Sequence, residues 1–317
     1  MFAAGDAGGG DGVVTVVIVT HNNRDLIGDC LDAVAGSDTT RELQVIVVDN
    51  ASRDGTAAVV AERGDGTQLI ALAENVGFAA AVNRGREEAR GRWLALVNSD
   101  AFVDRDCIEA LIARLQRDPR IAIAGARLRY PDGRLQASGG TFPSLAGGLW
   151  VALFLHRAPG LSRLGVGYLS NGSLYRRARR VDWVSGAVCA ARMDAGPLPA
   201  SSFMYGEDVE WAAECRAAGR EVWLEPAATA IHIGRASVDA SQNLSFAQRR
   251  RVEFELAWFA RRGRSAVLLA RAVLLVHAAV RVAAFGMLGA LRRRRDLRVA
   301  EFAALARAAV SPRGTLP

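Results

Sequence analysis

No glycine-rich turn follows the first apolar run of this 317-residue chain. Where a dinucleotide-binding GxGxxG would fall, the residues are His21-Asn22-Asn23-Arg24-Asp25, with no glycine to let the backbone close on a pyrophosphate. A P-loop is absent as well. These gaps count against a nicotinamide-dependent oxidoreductase, and against a nucleotidyltransferase, whose first strand usually runs into a Gly-rich basic loop. Phosphate must be held some other way, and a divalent metal clasped by carboxylates is the usual alternative. Cysteine is scarce: Cys30, Cys107, Cys189 and Cys215 are far apart and form no CxxC pair. They read as buried reduced thiols in a reducing compartment rather than as a zinc site or disulfide framework. The opening residues lack the basic start and apolar core of a secretory signal. Residues 1–12, rich in Gly and Asp, read as a loose tail. No internal repeat is visible.

What is present is an alternation, in a chain half of whose residues are hydrophobic. Val13–Thr20 is a nearly continuous Val/Ile run, the pattern of a strand buried on both faces. Arg24–Ala35 reads as a helix with Leu26, Ile27, Leu31 and Val34 on one side. Residues 43–48 form a second buried strand, 56–63 a helix, 69–72 a short strand and 78–90 a helix. Trp93–Val97 is a fourth strand, and 107–117 is a helix stopped by Asp118-Pro119. Strand and helix in turn predict a doubly wound α/β sheet. After residues 121–126 the alternation stops. Residues 127–180 carry Gly, Ser, Arg and three prolines and read as substrate-facing loops. Residues 181–191 are strand-like, a helix starts near Gly206-Glu207-Asp208, and 221–224 and 229–233 read as two further short strands.

In such sheets ligands sit outside the carboxyl ends of the strands. Thr20-His21-Asn22-Asn23, Asp49-Asn50, Asn75 and Asn98-Ser99-Asp100 fall at those ends and are placed to line one crevice. Each alone passes as a turn or helix cap, and for Asn22 and Ser52 that is the simpler reading. Four acidic or amide clusters at consecutive strand ends are harder to dismiss. A carboxylate at Asp49 can accept hydrogen bonds from a base or ribose. Asp100 offers the hard oxygen that suits Mg²⁺ or Mn²⁺ bridging a diphosphate. His232, closing a short apolar run, has the pattern of a core histidine as much as that of a ligand. The acidic cluster Glu207-Asp208-Val209-Glu210 suits the first turn of a helix, where acids favour the macrodipole. It also suits a general base, which takes the proton from an attacking hydroxyl.

Seven segments, each weak alone, run in one order: residues 16–23 (VVIVTHNN), 47–56 (VVDNASRDGT), 74–80 (ENVGFAA), 96–100 (LVNSD), 181–187 (VDWVSGA), 203–210 (FMYGEDVE) and 231–234 (IHIG). In this order and spacing the chain resembles the family 2 glycosyltransferases, most of all their bacterial rhamnosyltransferase-like branch. The match spans about residues 13–235. The resemblance implies a GT-A fold: a doubly wound, Rossmann-like mixed α/β sheet forming a catalytic domain over 13–235, after the tail of 1–12. It implies an inverting transfer of a sugar, rhamnose from a dTDP donor by analogy, to a hydroxyl of a cell-surface glycan or lipid-linked acceptor. By position, Thr20, Asn22 and Asp49 would bind the base and ribose, with Asn75 and Gly77 at the donor site. Asp100 would be the metal-binding acid of a DxD-like motif whose first acid is here Asn98. His232 would be a second ligand to Mg²⁺ or Mn²⁺, Asp208 the base with Glu207 beside it, and Trp183 would line the acceptor side. His21 stands where Tyr is usual, and Ile233 where a second His or polar residue is common. The other reading is a non-catalytic nucleotide-sugar or glycan binder on the same scaffold, which has no need of Glu207-Asp208.

The net charge of +7 is concentrated late, in Arg249–Arg251, Arg261, Arg262, Arg264 and Arg292–Arg295. Residues 236–317 read as a basic, amphipathic helical extension. Within the apolar stretch 265–291, Arg271, His277 and Arg281 share one helical sector with Arg264. Such side chains are costly at a bilayer centre. A helix lying in the interface, basic sector toward the headgroups, fits this pattern best; packing on the domain and a true span are the alternatives. The aromatics show no stacking pattern that would suit nucleic acid. The expected setting is cytoplasmic, peripheral on the inner face of the membrane.

Overall fold

Val/Ile/Leu runs without an internal charge can only sit between two covered faces, and they form the middle of the sheet in the computed structural model of this chain. The structure describes residues 12–310 apart from 159, 165, 168, 170, 201–203, 235–239 and 292–296; of the expected tail, only Gly12 is among them. In chain order the first elements are β1 (Val13–Thr20), α1 (Arg24–Ala35), β2 (Glu42–Asp49), α2 (Thr56–Ala61), β3 (Gln68–Ala71), α3 (Phe78–Glu87) and β4 (Trp93–Val97). Then follow β5 (Ala101–Val103), α4 (Cys107–Gln116), β6 (Ile121–Arg129), β7 (Leu135–Gln136), β8 (Gly139–Gly140) and α5 (Leu145–Ala152). The rest are β9 (Arg179–Val181), β10 (Trp183–Val184), β11 (Val188–Arg192), α6 (Glu207–Ala217), β12 (Glu221–His232), α7 (Ala240–Ala260), α8 (Arg264–Leu291) and α9 (Leu297–Val310).

Two units divide the chain: Met1–Gly140 with Gly172–Ser237, and Thr141–Asn171 with Val238–Pro317. The first is the sheet unit, with strand order β3-β2-β1-β4-β11-β6-β12-β5. β1, β2, β3 and β4 pair in parallel, in the doubly wound order that the alternation predicts. β11 then enters antiparallel to both β4 and β6, making the sheet mixed. Val14, Ile18, Val47, Ala95 and Leu111 are essentially unexposed and belong to its core. All four cysteines are buried and free, and burial pushes their thiols up, as inert thiols require. The two short strands expected over 221–224 and 229–233 are one strand, β12. Its parallel register with β6 slips between Glu225 and Thr229, where Pro226 has no N–H to give to a ladder.

The second unit holds α5, α7, α8 and α9, so residues 141–171 are not only loops. Ser144 starts α5 by accepting from the Gly147 N–H. In α8 the expected orientation is reversed. His277 and Arg281 are buried: His277 stacks on Phe302, and Arg281 lies 3.6 Å over the Phe154 ring and donates to the Val151 carbonyl at 2.7 Å. Arg271 donates to the Ala309 carbonyl. Arg271, His277 and Arg281 therefore turn inward, toward rings and helix-end carbonyls, and not outward to headgroups, while Arg264 at the start of the helix is exposed.

Candidate active site

The parallel register sets Thr20 directly beside Asp49 at the carboxyl ends of β1 and β2. Both are buried, at 1% and 3% exposure. Asp49 Oδ2 accepts from the Ser52 N–H at 3.1 Å, whereas Asp49 Oδ1 and Thr20 Oγ1 have no hydrogen-bond partner among the described residues. A buried polar atom left without a partner costs about 1–3 kcal/mol, so this pair is built for something polar from outside.

Asn50, next in the chain, fixes the neighbouring loop. Its Nδ2 donates to Asn75 Oδ1 at 2.9 Å and to the Gly77 carbonyl at 3.2 Å, and its Oδ1 accepts from the Val76 N–H. Gly77 itself has φ +86°, a backbone that a side chain would strain. Asn22, also at positive φ, is exposed and spent on the turn: its Oδ1 accepts from the Arg53 N–H, and its own N–H donates to Ser52 Oγ. Asn23 is the buried member of that pair, reaching Ser99 Oγ at 2.9 Å. It ties the β1 end to the β4 end.

The turn after β4 carries Asn98 and Asp100. Ala101 pairs with His232 across β5 and β12, which brings His232 Nε2 to 3.3 Å from Asp100 Oδ1 and 3.3 Å from Asn98 Nδ2. On the far side of the ring, Nδ1 lies 2.8 Å from Gln136 Oε1. An amide oxygen can only accept, so Nδ1 carries the proton, and Nε2 is left as an acceptor between the Asn98 Nδ2 donor and Asp100 Oδ1. Gly234 completes the corner. It donates its N–H to Asp100 Oδ2 at 3.0 Å, has φ +64°, and a Cβ there would lie 3.2 Å from Gln136 Nε2.

Two acceptors facing each other at 3.3 Å are reconciled by a proton or a cation. A carboxylate oxygen beside an imidazole nitrogen is a donor set that would fit a divalent metal, with Asp100 and His232 as the residues that would hold it. A ligating histidine whose other nitrogen is anchored by an acceptor is the usual arrangement. Among the described residues no group of three or more His, Cys, Asp or Glu could hold an ion. Most of its shell would come from diphosphate and water.

Glu207 and Asp208 open α6 after Tyr205 and Gly206, both at positive φ. Asp208 Oδ1 accepts from the Val209 N–H at 2.8 Å, and the carboxylate also takes the Gly186 N–H. Burial pushes both acids well above the ordinary carboxylate range, and the Asp208 charge pushes Glu207 further. The segment before β11 joins this corner to the others. Asn98 donates its N–H to the Ala187 carbonyl at 2.8 Å, and a Cβ on Gly186 would lie 3.6 Å from Phe78 Cε1 and 3.9 Å from Asp208 Cβ. Trp183, in β10, is buried at 8% exposure. Of the five buried side-chain oxygens without a partner among the described residues, four belong to Thr20, Asp49, Asn98 and Glu207. Gln136, Asn23, Ser99, Gly186 and Gly234 complete the site. Sequence patterning gave none of them an individual role, although Asn23, Ser99, Gly186 and Gly234 lie inside the quoted motifs, and Asn23 and Ser99 inside the strand-end clusters.

This fold and strand-end site define a GT-A glycosyltransferase. The profile of "Glycosyl transferase family 2" matches residues 15–177, just over half of the chain, and the chain belongs to that family. It is similar to N-acetylglucosaminyl-diphospho-decaprenol L-rhamnosyltransferase of Mycobacterium tuberculosis, 29% identical over 241 residues that cover 69% of this chain and 76% of that protein. Among solved structures it resembles a mannosyltransferase from Pyrobaculum calidifontis in complex with GDP-Man and Mn²⁺, with TM-score 0.58 and 19% identity over 94% of this chain and 86% of that one. It also resembles GalNAc-T7 with UDP, GalNAc and Mn²⁺, with TM-score 0.53 and 16% identity over 79% of this chain and 50% of that one.

Proposed function

We propose that this glycosyltransferase moves a sugar from a nucleotide-diphosphate donor to a hydroxyl of a lipid-linked or cell-surface glycan, in one inverting, metal-dependent displacement. The observation that carries the reading is the set of stranded oxygens on Thr20, Asp49, Asn98 and Glu207, all in strand-end and helix-start turns around the Asp100–His232 pair. Thr20 and Asp49 receive the ribose and base. Asn75 and Gly77, held by Asn50, shape the donor loop; Asn22 acts with them by holding the turn beside Ser52. Asp100 and His232 would hold Mg²⁺ or Mn²⁺, which when bound neutralises charge on the leaving diphosphate.

Asp208 takes the acceptor proton. As the acceptor oxygen bonds to the anomeric carbon from one face, the bond to the diphosphate oxygen breaks on the other, and the configuration inverts. The raised proton affinity of Asp208, caused by burial, suits a base working near neutrality, and Glu207 stands beside it. Trp183 lies in β10, three residues before Gly186, and is assigned to the acceptor side. The mycobacterial relative is named an L-rhamnosyltransferase, which favours rhamnose as the sugar; dTDP-rhamnose is the donor assigned here, and a cytoplasmic position on the inner face of the membrane suits such acceptors. Thermal-shift screening of nucleotide sugars with Mn²⁺ identifies the donor through ligand-linked stabilisation. Asp208→Asn is then expected to lower turnover by about 10²–10⁴-fold with donor-induced stabilisation retained; turnover close to that of the parent would remove Asp208 from the role.

A further inference from the structure

A globular helix hides its apolar stripe and shows its charges; α8 does the reverse. From Leu268 to Met287 every exposed residue is apolar: Leu268, Leu269, Leu275, Val276 and Met287 are 37–67% exposed, and the other four are alanine or glycine. The polar residues of the same stretch face inward, as Arg271, His277 and Arg281 do. Ten of the twelve exposed large hydrophobics among the described residues lie in the second unit. At about 1.5 Å per residue the apolar face is about 29 Å long, far beyond the scattered exposed residues of an ordinary surface.

We propose that this outward face of α8 is a lipid-binding surface, seated among the acyl chains of an anionic membrane with the helix lying along the interface. Charge placement favours lipid over a protein partner. Arg261, Arg262 and Arg264 are exposed at the start of α8, and Arg292–Arg295 follow its end in the sequence. The chain contains no lysine, so each of these cations is a guanidinium, weakly hydrated and shaped to bind phosphate with two hydrogen bonds. An apolar face that begins at exposed phosphate-binding groups matches the acyl and headgroup layers of one leaflet. By length and composition Arg264–Met287 is also a candidate span, with mean hydropathy 1.9. A crossing would carry the Arg250–Glu253 and Arg251–Glu255 pairs of α7, which packs on α8, toward the hydrocarbon, at high cost. Embedding one face avoids that cost. This surface stands on the second unit alone and does not depend on the donor or acceptor.

The test is co-flotation of the full chain with phosphatidylcholine vesicles with and without phosphatidylglycerol. The expected result is flotation with the anionic vesicles, and at least about tenfold weaker partitioning for Leu268→Gln/Leu275→Gln/Met287→Gln. That variant keeps every charge and alters only exposed positions; an unchanged melting temperature and unchanged nucleotide-induced stabilisation establish that it folds. Failure of the parent chain to float, equal flotation of parent and variant, or a parent dimer that the triple change converts to monomer would each overturn the proposal, the last by assigning the face to a second copy. Loss of sugar transfer with flotation intact bears on the active site and leaves this surface standing.

Discussion

Gln136 has no role of its own in the proposed transfer, yet the proposed metal site at Asp100 and His232 should depend on it. Replacing it with alanine removes the acceptor 2.8 Å from His232 Nδ1. The ring is then free to rotate, or to place its proton on Nε2, the atom that faces Asp100. The His232 side chain is only 13% exposed, so water is a poor replacement. One lost hydrogen bond is worth about 1 kcal/mol, and removing the partner behind a ligating histidine typically costs about 10–100-fold in metal affinity. The expectation for Gln136→Ala is thus a roughly tenfold to thirtyfold weaker Mn²⁺ complex, or about 1.4–2 kcal/mol. The assay is electron paramagnetic resonance of free Mn²⁺ titrated against protein with saturating dTDP. Gln136→Glu keeps an acceptor for Nδ1–H and should retain most of the affinity. Parent-like Mn²⁺ binding by Gln136→Ala, or equal loss in both variants, would refute the tautomer-locking role.

Two further outcomes separate the stability of the free chain from its chemistry. Thr20→Val deletes a buried hydroxyl that has no partner among the described residues, so its melting temperature should hold or rise, while dTDP binding weakens by about fivefold to tenfold; a lower melting temperature with unchanged nucleotide binding would contradict the assignment. Burial raises the proton affinity of Glu207, so the folded chain binds more protons than the unfolded one between the ordinary glutamate value and the raised one. Stability therefore falls as pH rises through that window. Glu207→Gln cannot ionise, and its melting temperature relative to the parent should climb between about pH 5 and about pH 8; parallel curves would sink that account.

The strands were legible because burial on both faces leaves nothing but apolar residues, as in Val13–Thr20 and Trp93–Val97. Polar residues at their ends then marked Asp49 and Asp100 from chemistry alone. His232 was not legible that way, since its place beside Asp100 is a product of pairing between β5 and β12, two segments more than a hundred residues apart. Gln136 sits in a two-residue strand, too short for any periodicity, and its partner is 96 positions away. The helical wheel of α8 grouped Arg264, Arg271, His277 and Arg281 into one sector, but a wheel does not say which sector points inward. That was decided by Phe154, Phe302 and the Val151 and Ala309 carbonyls, which lie elsewhere in the chain.

The slip in β12 has a consequence for how this chain can vary. His232 reaches Asp100 only because residues 226–228 bridge Glu225 and Thr229 while β6 advances by a single residue, from Ala126 to Arg127. Side chains alternate between the two faces of a strand. One residue gained or lost in that bridge would therefore carry Thr229, Ile231 and His232 to opposite faces while leaving every motif spelled as before. Substitution at Ala227, which is exposed, should pass unnoticed, whereas a change of length there should silence the site. A span without chemistry of its own thus serves as a ruler, and homologues that keep His232 beside the Asp100 counterpart should keep its length.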